Sequence, residues 1–113
     1  MQERVNKPWG WSQEVYRDEL TRVVRIHVEP GGFCSVHKHE RQANRFIVLS
    51  GELNVHCKDG GGADPSIRCG VRHQFHNATS EPVEALEIYT SADGTPPDEN
   101  DIVRFSEGGI LRK

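Results

Sequence analysis

The chain has 113 residues but no apolar run long enough to cross a bilayer. Its longest aliphatic and aromatic run, residues 46–49, is far short of the ~18 residues that a spanning helix needs. An apolar secretory stretch at the N-terminus and any Cys-x-x-Cys pair are also missing, and the cysteines number only three. These absences exclude a membrane-spanning helix and predict a protein of the reducing cytoplasm.

An excess of basic charge is absent too. The chain has 14 lysines and arginines against 17 aspartates and glutamates, for a formal charge of -3. Because proteins that bind phosphate backbones typically carry a basic surface, no nucleic-acid partner is expected. Charged residues make up 27% and hydrophobic residues 35% of a mixed sequence, which is typical of a folded domain. The length predicts a single domain, residues 1–113.

What the chain does have is turn residues, with 11 glycines and 6 prolines between short runs rich in Val, Ile, Phe and Thr. Residues 21–28 alternate between apolar and polar before the turn at residues 30–32, and residues 44–49 and 52–57 flank another turn. No segment sustains helical periodicity. The pattern predicts an all-β fold, an antiparallel barrel or sandwich, with an irregular C-terminal tail over residues 91–113 because prolines interrupt residues 91–100.

Three histidines carry the chemistry that the sequence indicates. His37 and His39 are two residues apart on a predicted strand, so both rings project from the same face. His73 is predicted to share a face with Phe75 on a later strand. Three convergent imidazoles would suit one divalent transition metal, with Zn, Fe, Mn and Ni all open. The alternative is that His-x-His is a chance pair on the surface.

The spacing of these residues resembles the two motifs of the cupin family. Motif one spans residues 31–51 with every gap of the family pattern, and its positions are Gly31, His37, His39, Asn44 and Gly51. Motif two spans residues 62–77, and its positions are Gly62, Arg68, Gly70, His73 and Asn77. Two residue types depart from the pattern, because the family has glutamate where this chain has Asn44 and proline where it has Arg68.

A closer resemblance is to the small cupin domain of the type II phosphomannose (mannose-6-phosphate) isomerases. It rests on the Pro-Trp-Gly element at residues 8–10 and the Asp-Ile-Val-Arg string at residues 101–104, in addition to the two motifs. The resemblance implies a single-domain jelly-roll barrel with a metal at His37, His39 and His73. It also implies a small polar ligand, such as a sugar or sugar phosphate, and a homodimer.

Asn44 leaves the function open among three alternatives. A neutral amide is a weaker metal ligand than the family's carboxylate. Asn44 is therefore expected to be a weak oxygen ligand or to mark a site without metal. Asn44→Glu is predicted to tighten metal binding. The first alternative is a metal-dependent enzyme resembling an isomerase. The second is a three-histidine dioxygenase, and the third is a binding module without catalysis.

Phe46, Phe75 and Arg68 are the predicted substrate contacts. The two phenylalanines share the parity of the metal face, and Arg68 would aim a guanidinium at the rim, although an exposed arginine is commonly just solvated. No catalytic residue is assigned. Charged residues on the strands, Glu87 among them, fall opposite the apolar face or have ambiguous parity, which leaves only His76 as a possible acid or base.

Overall fold

The computed structural model describes residues 2–57, 66–67 and 69–111, so Gly62 and Arg68 lie outside the described residues. Within these ranges the chain forms twelve strands, and no helix capable of spanning a bilayer is found there. The strands are β1 (Val5–Lys7), β2 (Gly10–Arg17), β3 (Thr21–Val28), β4 (Gly32–Phe33), β5 (His37–Lys38), β6 (Gln42–Ser50), β7 (Asn54–Cys57), β8 (Ser66–Ile67), β9 (His73–His76), β10 (Val83–Ser91), β11 (Val103–Arg104) and β12 (Gly109–Ile110).

These strands form two antiparallel sheets, which confirms the predicted all-β class. The first sheet has the order β1-β2-β3-β10-β6-β8, and the second has the order β11-β5-β9-β4-β12 with β7 also paired to β9. In the second sheet His37 of β5 lies directly opposite His73 of β9. This cross-strand pair joins the two sequence motifs.

Alternation along the strands places one set of side chains in a shared core. The buried positions of β3 are Val24, Ile26 and Val28, and β10 buries residues 83, 85, 87 and 89 in the same rhythm. Aromatic rings from the second sheet and the N-terminal turn complete the core, where Trp9 meets Phe75 edge to face at 4.9 Å. The core therefore lies between the sheets and forms the floor of the functional site.

Gly31, the first residue of motif one, is required by its backbone. Its φ of +78° lies in the left-handed region, and a Cβ added there would come within 2.4 Å of the carbonyl oxygen of Leu111. Leu111 in turn donates its N–H to the carbonyl oxygen of Gly31. The glycine thus lets the end of the chain dock beside the strand that leads to the histidines.

The C-terminal tail, predicted to be irregular over residues 91–113, is more ordered than that. Residues 92–102 contain no strand, but β11 pairs with β5 and β12 pairs with β4. The short edges of the second sheet offer free main-chain groups, and the tail satisfies them despite its weak sequence pattern. β1 lies at the edge of the first sheet, paired to β2 of the same chain, and the homodimer stays a prediction.

Candidate functional site

A cavity of about 470 Å³ opens between the sheets and is large enough for a small metabolite. Its walls come from both sheets and from the C-terminal segment, and they combine apolar with charged side chains. The residues that line it include Lys7, Arg22, His37, His39, Phe75, Glu87, Tyr89, Glu99, Ile102, Arg104 and Glu107.

The structure brings the three histidines together, as the spacing predicts. The ring of His37 lies 4.3 Å from that of His73 and 5.1 Å from that of His39, measured between centroids. One nitrogen from each ring lies within 4.8 Å of the others, and all three side chains are buried. They form a group that could hold a metal ion.

Hydrogen bonds to the main chain fix the orientation of each ring. Nδ1 of His37 lies 2.8 Å from the carbonyl oxygen of Ser35, Nδ1 of His39 lies 2.7 Å from that of Asp101, and Nδ1 of His73 lies 3.0 Å from that of Val71. A carbonyl oxygen only accepts, so each Nδ1 carries the proton and each Nε2 keeps its lone pair. This is the arrangement in which neutral histidines bind metals.

The buried Nε2 atoms of His39 and His73 have no hydrogen-bond partner among the described residues. Leaving such an atom unpaired in the interior is costly, so a ligand for these atoms is expected. A divalent transition metal fits, because it would accept the Nε2 lone pairs of all three rings.

Burial keeps these rings neutral. It lowers the pKa of His37 to about 3, with His73 and His39 adding to the effect, and it lowers the pKa of His73 to about 4. The pKa of His39 is also lowered, mainly by burial. The lone pairs are therefore available at neutral pH without the prior loss of a proton.

Asn44, the predicted weak ligand, is buried on β6 beside a carboxylate that the sequence analysis missed. Its Nδ2 donates to Oε2 of Glu87 at 3.2 Å, while its Oδ1 has no partner among the described residues. The hydroxyl of Tyr89 donates to the same Oε2 at 2.7 Å. Burial raises the pKa of Glu87, and the two hydrogen bonds act against that rise.

The placement of Glu87 corrects the sequence analysis, which put it opposite the apolar face or left its parity ambiguous. Leu86 and Ile88 form the apolar pair on β10, yet the fully buried positions are Val83 and Ala85, whose parity Glu87 and Tyr89 share. β10 lies centrally in its sheet and carries apolar residues on both faces. The larger apolar pair, Leu86 and Ile88, therefore does not mark the face that points into the core. Val83, Ala85 and Tyr89 have the same parity on the strand, and this alternation could have indicated that Glu87 faces the core.

Three cations at the cavity wall were also missed. Lys7, Arg22 and Arg104 come from β1, β3 and β11, which only the folded chain brings together. Burial, followed by the charges of Arg104 and Arg22, lowers the pKa of Lys7. Nε of Arg22 donates to Glu14 at 2.7 Å, whereas Lys7 and Arg104 form no ion pair with the described carboxylates.

The other predicted site residues differ in their positions. Phe75 lines the cavity, whereas Phe46 packs in the core with its ring 6.0 Å from that of Phe75. His76 lies outside the cavity, with its ring against Phe33. Arg68 lies outside the described residues, so its predicted role stays a prediction.

The architecture matches solved structures of cupin proteins. Oxalate decarboxylase from Bacillus subtilis superimposes with a TM-score of 0.75 at 18% identity, covering 92% of this chain and 30% of the decarboxylase chain. At this identity the likeness concerns the fold alone. It confirms the cupin barrel that the two motifs predict.

Sequence relatives are much longer than this chain. The xanthan biosynthesis protein XanB of Xanthomonas campestris is 31% identical over 109 residues, which is 92% of this chain and 23% of XanB. Mannose-1-phosphate guanylyltransferase ManC of Salmonella typhimurium is 29% identical over 112 residues, which is 95% of this chain and 23% of ManC. The chain thus spans less than a quarter of the length of these relatives.

The family model described as the C-terminal region of mannose-6-phosphate isomerase matches residues 1–107, nearly the whole chain. The match includes both histidine motifs, the cations of the cavity wall and Glu87. On this evidence the chain belongs to the mannose-6-phosphate isomerase C-terminal family of cupin domains.

Proposed function

We propose that this domain binds one divalent transition metal through His37, His39 and His73, and a small phosphorylated sugar in the adjoining cavity. The observation that carries the proposal is a set of three imidazoles oriented by the main chain beside a charged cavity, of which His39 and His73 have a buried Nε2 without a partner among the described residues. A metal at this position would act as a Lewis acid toward a carbonyl or hydroxyl oxygen.

The cations of the cavity wall support an anionic group on the ligand. Lys7 and Arg104 have no carboxylate partner among the described residues, although they lie on the same wall. Glu87, Glu99 and Glu107 line the same cavity, but none of them forms an ion pair with either cation. Two neighbouring cations that are not ion-paired favour a phosphate, which accepts several charge-assisted hydrogen bonds. Arg22 is held by Glu14 and lies 5.1 Å from the Tyr89 ring, so its charge is fixed in place.

Glu87 supports a proton-transfer reaction of the aldose–ketose type. Such an isomerisation moves a proton between adjacent carbons, which requires a base inside the cavity. Both hydrogen bonds that Glu87 receives from Asn44 and Tyr89 go to Oε2, and neither occupies Oε1. Oε1 receives no hydrogen bond from the described residues and is available for a ligand, and burial raises the pKa of Glu87 toward the operating pH.

The test combines elemental analysis with binding and turnover. Protein purified without chelator is expected to contain zinc, manganese, nickel or iron in about equimolar amount, and calorimetry should detect mannose 6-phosphate but not mannose. A coupled assay then follows conversion to fructose 6-phosphate. Binding without turnover would reject the isomerase and leave a metal-dependent binding module, while no metal uptake would reject the proposal as a whole.

An iron-dependent dioxygenase is the second candidate. It is favoured by the ligand group itself, which contains three histidines and no carboxylate among the described residues. Oxygen consumption by the iron-loaded protein would support it, and its absence with every metal tested would reject it.

A further inference from the structure

Asp101, in the C-terminal tail, contacts the metal-binding histidine His39 although 62 positions separate them. Its main-chain oxygen accepts the Nδ1 proton of His39 at 2.7 Å. The Asp101 side chain is buried, with 8% exposed, and belongs to no ligand group. A main-chain acceptor orients a ring only if the backbone that carries it is itself held in place.

The carboxylate of Asp101 supplies that anchor. Its Oδ1 accepts the N–H of Glu40 at 2.9 Å, and its Oδ2 accepts the N–H of Arg41 at 2.9 Å. One carboxylate thus bridges two consecutive amides that directly follow His39, while the carbonyl of the same residue holds the His39 ring. Only a short side chain with two acceptor oxygens can satisfy both amides, and an asparagine could satisfy one.

The same stretch of tail borders the cavity. Glu99, Ile102, Arg104 and Glu107 line it, and β11 pairs Arg104 with His37. The tail therefore contacts two of the three histidines through its main chain, at His37 by strand pairing and at His39 by the Asp101 carbonyl. Undocking residues 98–108 would release the His39 ring and open one wall of the cavity.

We propose that Asp101 is a positioning residue for His39, and that docking of the tail and metal binding are coupled through it. The inference rests on the metal-binding part of the proposed function and is independent of the sugar phosphate. Because coupling free energies are reciprocal, a tail that strengthens metal binding is itself held more firmly once metal is bound. Residues that orient a ligand in this way typically contribute about 10- to 100-fold to metal affinity.

The experiment measures zinc affinity of the full chain by competition with a chromophoric chelator. Asp101→Ala is expected to weaken binding by about 10- to 100-fold, and Asp101→Asn, which keeps one acceptor, by a smaller factor. Asp93→Ala is the matched control, because Asp93 accepts hydrogen bonds from Thr95 in the same tail but has none to residues 39–41. Its zinc affinity should stay within twofold of the unsubstituted protein.

Hydrogen exchange of the unsubstituted protein provides the second readout and does not depend on whether the alanine variant folds. Zinc should slow exchange at residues 40–41 and 98–104 by a larger factor than in β2 and β3, because a ligand that only stabilises the whole fold slows all globally exchanging amides alike. Zinc binding with unchanged exchange there, or unchanged zinc affinity in folded Asp101→Asn and Asp101→Ala, would overturn this inference alone. Failure of the unsubstituted chain to bind zinc or any other metal would overturn the proposed function as well.

Discussion

Asn44 and Glu87 are joined across neighbouring strands by a hydrogen bond of 3.2 Å from Nδ2 to Oε2. Asn44 lies opposite Tyr89 in the β6–β10 register, and Glu87 lies opposite Phe46, so the two polar side chains meet on the diagonal. The amide is therefore a donor that the buried carboxylate needs. Asn44 and Glu87 should accordingly be altered together rather than singly.

The single variant Asn44→Glu is expected to be destabilised. It replaces the donor to Glu87 with a second carboxylate, and an uncompensated buried charge typically costs about 3 kcal/mol or more. Adding Glu87→Gln restores a hydrogen bond in which the amide at position 87 donates to the carboxylate at position 44. The double variant should therefore recover most of the lost stability. Urea unfolding of the two single variants and the double variant measures the coupling.

In the double variant we also expect tighter metal binding than in the unsubstituted protein. An anionic oxygen would then stand at the position where the cupin pattern places one, and metal affinity rises with a charged ligand. Chelator competition measures the change. A well-folded double variant with unchanged affinity would mean that position 44 does not reach the ion.

Replacing His37 and His73 together by alanine should abolish metal uptake while leaving the far-UV dichroism of the barrel nearly unchanged. Both rings offer Nε2 to the group of three, and one remaining imidazole cannot hold the metal. His76→Ala is the matched control, because His76 is on the same strand as His73 but points away from the cavity. Retained metal in the double variant would refute the ligand assignment.

Lys7 and Arg104, which form no ion pair with the described carboxylates, are expected to bind the phosphate group of the ligand. Lys7→Met and Arg104→Gln are each expected to weaken binding of mannose 6-phosphate about 10-fold or more, since a charge-assisted hydrogen bond contributes about 1.5–3 kcal/mol. Arg45→Gln, at an exposed position of β6, serves as the control. Equal losses in all three variants would point to a general electrostatic effect instead of a phosphate site.

The metal-free protein should lose stability as the pH falls below about 6.5. Burial lowers the pKa values of His37 and His73 to about 3 and about 4 from an ordinary value of 6.5, and His39 shifts in the same direction. As the pH is lowered, the unfolded chain therefore binds protons at a higher pH than the folded chain does. Each histidine lowers the free energy of unfolding by up to about 1.4 kcal/mol per pH unit. Glu87, whose pKa is raised, offsets only part of this loss.

Urea unfolding at pH 7.5, 5.5 and 4.5 in the presence of a chelator measures how the free energy of unfolding changes with pH. His37→Asn should make this change smaller, because the variant lacks one of the groups that bind a proton in this pH range only in the unfolded chain. A free energy of unfolding that stays constant or rises on acidification would contradict the assignment of neutral buried rings.

The resemblance to the two cupin motifs predicted the barrel and the meeting of three histidines. The gap between His37 and His39 reflects strand parity, a local property that a sequence displays directly, whereas the approach of His73 was implied by the resemblance. The left-handed Gly31 and the cross-strand pair of His37 with His73 are the structural counterparts of the motif spacing. Hence the central site was accessible to sequence reasoning.

The walls of the cavity were not accessible in the same way. Glu87 was misplaced because β10 carries apolar residues on both faces, and the larger pair, Leu86 and Ile88, lies on the less buried one. Lys7 and Arg104 lie almost a hundred positions apart and approach only through the docking of the tail. Short strands with a weak apolar–polar pattern pair over long sequence distances, and no local feature of the sequence indicates which strands will meet.

Orientation of all three imidazoles by main-chain oxygens also bears on how this site tolerates mutation. Every residue type contributes the same carbonyl group, so the hydrogen bond that orients His73 does not depend on which side chain stands at position 71. His37 differs, because the hydroxyl of Ser35 also lies 3.2 Å from its Nδ1. Position 101 is different, because its side chain holds the backbone that holds His39. Position 71 can therefore change its side chain and still orient its histidine, whereas positions 35 and 101 also contribute side-chain contacts.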